Sequence, residues 1–379
     1  MAPVWDRRTV VGPCARLAQP APTPTVYLDG PFPNTPRAMT LTRREFAAML
    51  AGAVGGVTIP LLLRSPDSPP DVSASEDPTR RRADYFDWRR VGPRVQVALL
   101  GGGNSLLFMG GQKALLSDAK SFGLGRTLAR EAREFGVPID CLVATHHHGD
   151  HSGGAEAFRD LPRLAHVNAA PRILETARAN LERADTSLAA LRGRLTDSGA
   201  PPEMTEELEG MVLELATLAP EDFGPTETFE DIHEIDIDGH PVLVRWVSRG
   251  HTDGDAFLHL PEENVLHCGD LLFHERHPYI DVSSAATPEG WLRCLEAMLA
   301  LCDEDTVVVP GHGDITDRRG LETQRDYFVQ LRTLVEDGLA EGRSREEIAM
   351  LETPALRSLN GAEQYLGRNL GIVYDEMAG

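Results

Sequence analysis

The run Thr-His-His-His-Gly-Asp-His at residues 145–151 constrains this chain more than any other feature. Four of its side chains, His146, His148, Asp150 and His151, carry nitrogen or oxygen donors, and His251, Asp270 and His312 follow as three more candidates. Seven ionisable groups at the ends of apolar segments are costly to bury unless they share a cation. Imidazole suits zinc and its borderline-soft neighbours, and carboxylates complete or bridge such a site. The set is about what two divalent metal ions need, and a pair of this kind can hold an activated water at neutral pH. Zinc leads the candidates, with iron and manganese as alternatives.

The local spacing supports convergence. Residues 140–145 form a short apolar run that predicts a buried strand, with the histidine cluster just past its end. Alternate residues of an extended segment share a face, so His146 and His148 reach one ion while His147 points elsewhere, and Gly149 permits a turn that brings Asp150 and His151 to a second. Runs at 242–247, 265–268 and 306–309 predict three further strands, which deliver His251, Asp270 and His312 beside glycines.

On these residues the chain resembles the metallo-β-lactamase-fold hydrolases over about residues 95–314. Their His-x-His-x-Asp-His motif matches His146 to His151, their later single histidine matches His251 in Gly-His-Thr-Asp-Gly-Asp, their bridging aspartate matches Asp270, and their last histidine matches His312. The resemblance implies an α/β fold, a four-layer αββα sandwich. It also implies that His146, His148 and His251 hold one metal, Asp150, His151 and His312 the other, with Asp270 between them. Asp118 in Leu115-Leu116-Ser117-Asp118 matches the family's early strand-end aspartate, which supports the ligands from behind.

The implied chemistry is attack of a hydroxide held by the two metals on a polarised carbonyl or phosphoryl centre, with Asp150 orienting the water or taking its proton. Asp270 stands where one β-lactamase branch has a cysteine ligand. That favours hydrolysis of a small ester, lactone, thioester or amide over dedicated β-lactamase activity. An iron-dependent sulfur dioxygenase of the same fold and a non-catalytic exported metal-binding protein are the alternative readings. His274, His277 and Tyr279, in the polar and aromatic stretch after Asp270, are candidates for lining the substrate cleft. Cys268 beside that strand reads as a small buried residue in preference to a soft ligand.

Two departures from the bare fold are expected. Residues 171–218 carry two helical patterns, one from Arg172 to Leu191 and one from Met204 to Leu218, split by Ser198-Gly199-Ala200-Pro201-Pro202; they predict a helical hairpin inserted between the first cluster and His251. It either overhangs the metal mouth and shapes the pocket or serves as an edge-packing or dimer-forming element. The region 318–379 predicts C-terminal helices, at 318–339 and 344–351, cladding the sheet.

With 379 residues and 41% hydrophobic composition, the chain can bury one large core, taken as a domain over 85–379. A net charge of −21 argues against a nucleic-acid partner and leaves a small-molecule substrate. Five cysteines without paired spacing read as free core thiols. Residues 1–38 form a Pro-rich leader, with Met39 as a candidate true start. Thr42-Arg43-Arg44-Glu45-Phe46 before an apolar stretch at 47–63 resembles a twin-arginine export signal, with cleavage after Val72-Ser73-Ala74 and a linker at 75–84. The stretch is too interrupted by glycine and Pro60 to make a permanent membrane span. These features point to the twin-arginine export machinery as a partner and to a periplasmic or exported protein of a bacterium; without the signal the free thiols fit the cytoplasm.

Overall fold

A computed structural model of the chain describes residues 86–198, 213–214, 217–351 and 353–379. The expected leader, export signal, cleavage point and linker lie outside the described residues, as does Cys14. Thirteen strands form two sheets among the described residues. The first holds β1 Asp87–Gly92, β2 Val95–Leu99, β3 Ser105–Met109, β4 Ala114–Ser117, β5 Ile139–Val143, β6 Arg163–His166 and β7 Glu227–Phe229, in that spatial order. Its first four strands pair antiparallel and β4 through β7 pair parallel. The second holds β8 Ile232–Ile237, β9 His240–Arg245, β10 Phe257–Leu260, β11 Val265–His267, β12 Val307–Val309 and β13 Thr316–Asp317. It runs in the order β13-β12-β11-β10-β9-β8, with only β11 and β12 parallel.

Inner strands such as β3, β4 and β12 read as nearly unbroken apolar runs because both of their faces are covered. Side chains alternate across a strand, so each run feeds two cores. Leu106, Phe108, Leu115, Cys141 and Val143 of the first sheet pack with Val242, Val244, Leu258, Val265 and Val309 of the second. The residues between them in sequence point outward. Leu107, Leu116 and Leu142 meet Leu128 and Ile173, while Phe257, Leu266 and Val308 meet Trp291, Phe328 and Leu370. Helix, sheet, sheet, helix is therefore the layering, as expected for an αββα sandwich.

On the first face lie α1 Gly125–Arg133 and the start of α3 Ala169–Ser198, with the one-turn α2 Gly149–Ser152 at the strand ends. On the second lie α4 Pro288–Leu299, α5 Arg318–Ala340, the short α6 Arg345–Ala349 and α7 Pro354–Arg357, and α8 Ala362–Ala378. Local signals start several of them: Thr287 accepts from Gly290 N ahead of α4, Asp317 from Arg319 N ahead of α5, and Ser344 with Glu347 closes a capping box on α6. The first arm of the expected hairpin is present as α3. Of the second arm only Leu213 and Glu214 are described as helix, and Thr217 already lies in a turn. Cys141, Cys268, Cys294 and Cys302 are all free and buried. Cys268 belongs to the outer core of the second sheet, where burial pushes its thiol well above the usual range.

Candidate metal centre

β4 and β5 pair in parallel, and this adjacency builds the first half of the site. Asp118 follows β4 with a φ of 62° and is fully buried. Its Oδ1 accepts from Thr145 N at 2.8 Å, and its Oδ2 from Thr145 Oγ1 at 2.8 Å and from His151 Nδ1 at 2.7 Å. With the proton held on Nδ1, the His151 Nε2 lone pair faces the other donors. Asp118 thus stands behind the cluster, where the sequence placed it. Asp118→Asn is expected to weaken metal binding at His151 about 10- to 100-fold with the fold retained, measured by zinc titration against a chelator; unchanged affinity would remove Asp118 from the site.

The cluster then turns through α2. His148 is extended, with φ −62° and ψ 145°, and Gly149 opens the helical turn with an ordinary backbone. The turn expected at Gly149 is a single helical turn, and it swings Asp150 and His151 round. His147 is buried and turned aside, its Nε2 3.2 Å from Ser284 Oγ.

All seven candidate residues converge. His146, His148, His251 and Asp270 bring donor atoms within 4.8 Å of one another, as do Asp150, His151 and His312. Asp270 joins the two groups. Its Oδ2 lies 3.8 Å from His146 Nε2, 3.4 Å from His251 Nε2 and 3.4 Å from His312 Nε2, and its Oδ1 lies 3.0 Å from His151 Nε2. His251 Nε2 is 2.8 Å from His148 Nδ1, and His312 Nε2 is 3.1 Å from Asp150 Oδ2. Ligands about 2.0–2.1 Å from one tetrahedral ion stand roughly 3.3 Å apart, so the spacing suits shared cations. Two buried atoms test the fit independently: His146 Nε2 and Asp270 Oδ1 have no hydrogen-bond partner, although both sit among donors and acceptors.

The distant ligands are held by their own turns. Buried Asp255 accepts from Gly250 N at 3.2 Å and Thr252 N at 2.8 Å, bracketing His251, whose Nδ1 donates to the Tyr279 carbonyl at 2.7 Å. His148 Nε2 donates to Asp281 Oδ2 at 3.0 Å, leaving Nδ1 for the cluster. Asp270 leaves β11 in a tight turn, and Gly311 packs directly on it: a Cβ there would overlap Asp270 Oδ1 and lie 2.6 Å from the Gly269 carbonyl carbon. A Cβ on Gly103 would likewise overlap the His151 ring. Lys120 anchors that neighbour from below, donating from Nζ to the Gly103 carbonyl at 2.6 Å; burial pushes this ammonium down to about 7.

The electrostatics divide the site. Burial pushes His251 down to about 3 and His146 well below its ordinary value, with neighbouring imidazoles adding to the effect, so both are neutral donors. Burial opposes charge on His312 too, but the carboxylates of Asp270 and Asp150 outweigh it and hold its pKa up at about 9. His151 is raised well above its ordinary value in the same way. Burial works against ionisation of Asp270, yet His312 and His151 together hold it well below the usual carboxylate range. Asp150 is lowered as well, first by His151 and then by His312, against the cost of burial. Two ionised carboxylates that draw protons onto the adjoining imidazoles make a setting in which a cation could replace those protons.

The three cleft candidates part company. Tyr279 lies at the cluster, its ring 6.1 Å from that of His148 and 6.0 Å from that of His251. His274 holds the Asp314 carbonyl through Nδ1 and lines a separate cavity of about 390 Å³ with Arg276 and Thr323. His277 corrects the expectation: it is buried, with Nδ1 on Tyr327 Oη and Nε2 on the Leu356 carbonyl, turned into the C-terminal core. The sequence reading missed Asp281 and the Tyr279 carbonyl. Asp281-Val-Ser-Ser284 carried one signal, since an aspartate two before serine marks a side chain held by its own turn.

Comparison with known proteins fits this geometry. The sequence model of the Metallo-beta-lactamase superfamily matches residues 99–312. Metallo-beta-lactamase type 2 of Bacteroides fragilis is 31% identical over 90 residues, 24% of this chain and 36% of that protein, so the match spans about a third of the curated relative's length. Among solved structures, the DIM-1 metallo-beta-lactamase has a TM-score of 0.46 at 16% identity, over 65% of this chain and 97% of that one. A metallo-beta-lactamase from Pontibacter korlensis has a TM-score of 0.46 at 17% identity, over 64% and 98%.

Proposed function

The chain belongs to the metallo-beta-lactamase superfamily, and from that premise we propose that it is a metal-dependent hydrolase of a small ester, lactone, thioester or amide. The observation that carries the reading is Asp270, within 3.0–3.8 Å of histidines from both donor groups. His146, His148 and His251 would hold one divalent ion and Asp150, His151 and His312 a second, with zinc the first candidate and Asp270 between them. Bound there, such ions supply Lewis acidity and bring the pKa of water toward neutrality.

The chain's own residues do the rest. Asp150, His148 and His312 have side chains 36%, 22% and 18% exposed, whereas His146, His151 and His251 are sealed. Substrate therefore meets the cluster on the Asp150 side. The Asp150 carboxylate stays ionised and is a weak base, so it orients an incoming water by accepting its proton in a hydrogen bond in preference to removing it. Tyr279 borders the same cluster and offers an aromatic face to the substrate.

Elemental analysis of the purified chain, joined to a panel of lactone, thioester, β-lactam and phosphodiester substrates, tests this. Two metal equivalents and acyl hydrolysis lost to chelation are expected. One iron with oxygen uptake would favour sulfur dioxygenation, and metal without turnover a binding role. Loading should also release protons. In the metal-free protein His312 carries a proton below about pH 9, and His151 is raised in the same direction; both must shed protons to coordinate, so metal affinity should climb with pH through the neutral and mildly alkaline range. Calorimetric titration in buffers of different ionisation enthalpy counts those protons; none at pH 7 would contradict His312 as a ligand.

A further inference from the structure

We propose that the C-terminal helix sets how tightly the His146, His148 and His251 half of the centre holds its cation, through Arg368 as a positioning residue. The inference rests on the reading of that cluster as a metal centre. Between the cluster and α8 runs a short segment outside any helix or strand, residues 277–281, whose polar groups alternate between the two sides. Facing the cluster, the Tyr279 carbonyl accepts from His251 Nδ1 at 2.7 Å and Asp281 Oδ2 accepts from His148 Nε2 at 3.0 Å. Facing the helix, the Pro278 carbonyl accepts from Asn369 Nδ2 at 2.8 Å and the Ile280 carbonyl from Arg368 Nη2 at 2.7 Å.

Each histidine needs its proton on the nitrogen facing the segment so that the other nitrogen keeps a lone pair for the metal. One stretch of chain supplies both acceptors, a backbone carbonyl at Tyr279 and the side-chain carboxylate of Asp281. A shift of that stretch therefore detunes two ligands of one half-site together and leaves His151, which is fixed by Asp118, untouched. Asp281 is tied down within its own turn by Ser283 N at 3.1 Å and Ser284 Oγ at 2.6 Å, and Asp281 N donates to the His251 carbonyl at 3.2 Å. The segment is thus stiff within itself, and its seating depends on what grips it from behind.

Two residues of α8 provide that grip. Asn369 is fully buried and also bonds Tyr327 Oη at 2.9 Å, so it belongs to the core. Arg368 is half-buried, and its guanidinium lies 4.6 Å over the Tyr279 ring while reaching the next carbonyl. It clamps the segment by a hydrogen bond and a cation–π contact at once. The helix that carries it, Ala362–Ala378, lies beyond residues 99–312 matched by the superfamily.

Titration of the metal-stripped full chain with zinc and with cobalt, against a competing chelator, resolves the two equivalents. Arg368→Gln should weaken one equivalent about 10-fold or more and leave the other at the wild-type value. Arg368→Lys, which keeps a donor for the Ile280 carbonyl, should recover most of the loss. Arg345→Gln, which breaks an exposed ion pair to Asp375 on the same helix, should change neither. Unchanged affinities in Arg368→Gln, or equal weakening of both equivalents in Arg368→Gln and Arg345→Gln, would overturn the inference. If Arg368→Gln does not fold, Asp281→Asn decides: selective loss supports the segment's role, and wild-type affinity refutes it. A wild-type chain that binds no metal would overturn the metal-centre reading itself.

Discussion

Asp270→Ala leaves a chain that loses more than about 100-fold in affinity for both metal equivalents, beyond what loss of a supporting residue costs, and with them its hydrolytic activity. The reason is its central placement: its carboxylate lies within 4 Å of His146, His151, His251 and His312 together. Its carboxylate also holds protons on the neighbouring imidazoles. In the metal-free variant the His312 pKa should fall from about 9 toward its ordinary value, which NMR titration of the ring protons reads directly. Zinc titration and elemental analysis give the stoichiometry. Two bound equivalents and full turnover in Asp270→Ala would end the bridging assignment.

Gly311→Ala should be as damaging, through packing and not through charge. Gly311 N donates to the Gly269 carbonyl at 2.7 Å and the Leu272 carbonyl at 3.1 Å, while its own carbonyl accepts from Asn104 N at 2.8 Å. The backbone there is pinned on both sides. An added methyl would lie 2.6 Å from Gly269 C and 2.7 Å from Asp270 N, atoms that cannot rotate away. Overpacking of this kind costs about 1–3 kcal/mol, and relief requires moving Asp270. We therefore expect a lowered midpoint in urea together with lost metal affinity. A variant with wild-type stability and both metals would show that the Gly269–Gly311 contact is looser than it looks.

The convergence of the candidate donors was legible in sequence because each couples a costly residue type to the end of an apolar strand and a nearby glycine. Seven residues spread over 146–312 do meet, and β5, β9, β11 and β12 are the strands that deliver them. Other parts carried no such mark. β1, Asp-Trp-Arg-Arg-Val-Gly, lies at a sheet edge with a partly exposed face, so its pattern lacks the apolar run of its neighbours. The carbonyl that orients His251 belongs to the backbone of Tyr279, and no side chain signals it. His277 misled for the opposite reason: a histidine seven residues past a ligand looks chemical, but here the core uses both of its ring nitrogens. Lys120 is an interior lysine in a chain whose charge reads as surface, and the Ala98 and Gly103 carbonyls together with the Phe86 ring beneath its ammonium accommodate it.

The candidate centre draws His146 to His151 from the strand ends of one sheet and His251, Asp270 and His312 from those of the other. Occupied by cations, it becomes a suture between the two halves of the sandwich, a bond that no native disulfide provides among the described residues. By mass action, an ion that binds only the folded chain adds to its stability in proportion to the logarithm of its free concentration. With cations in place, the endurance of the fold would follow the trace-element supply of wherever the protein works.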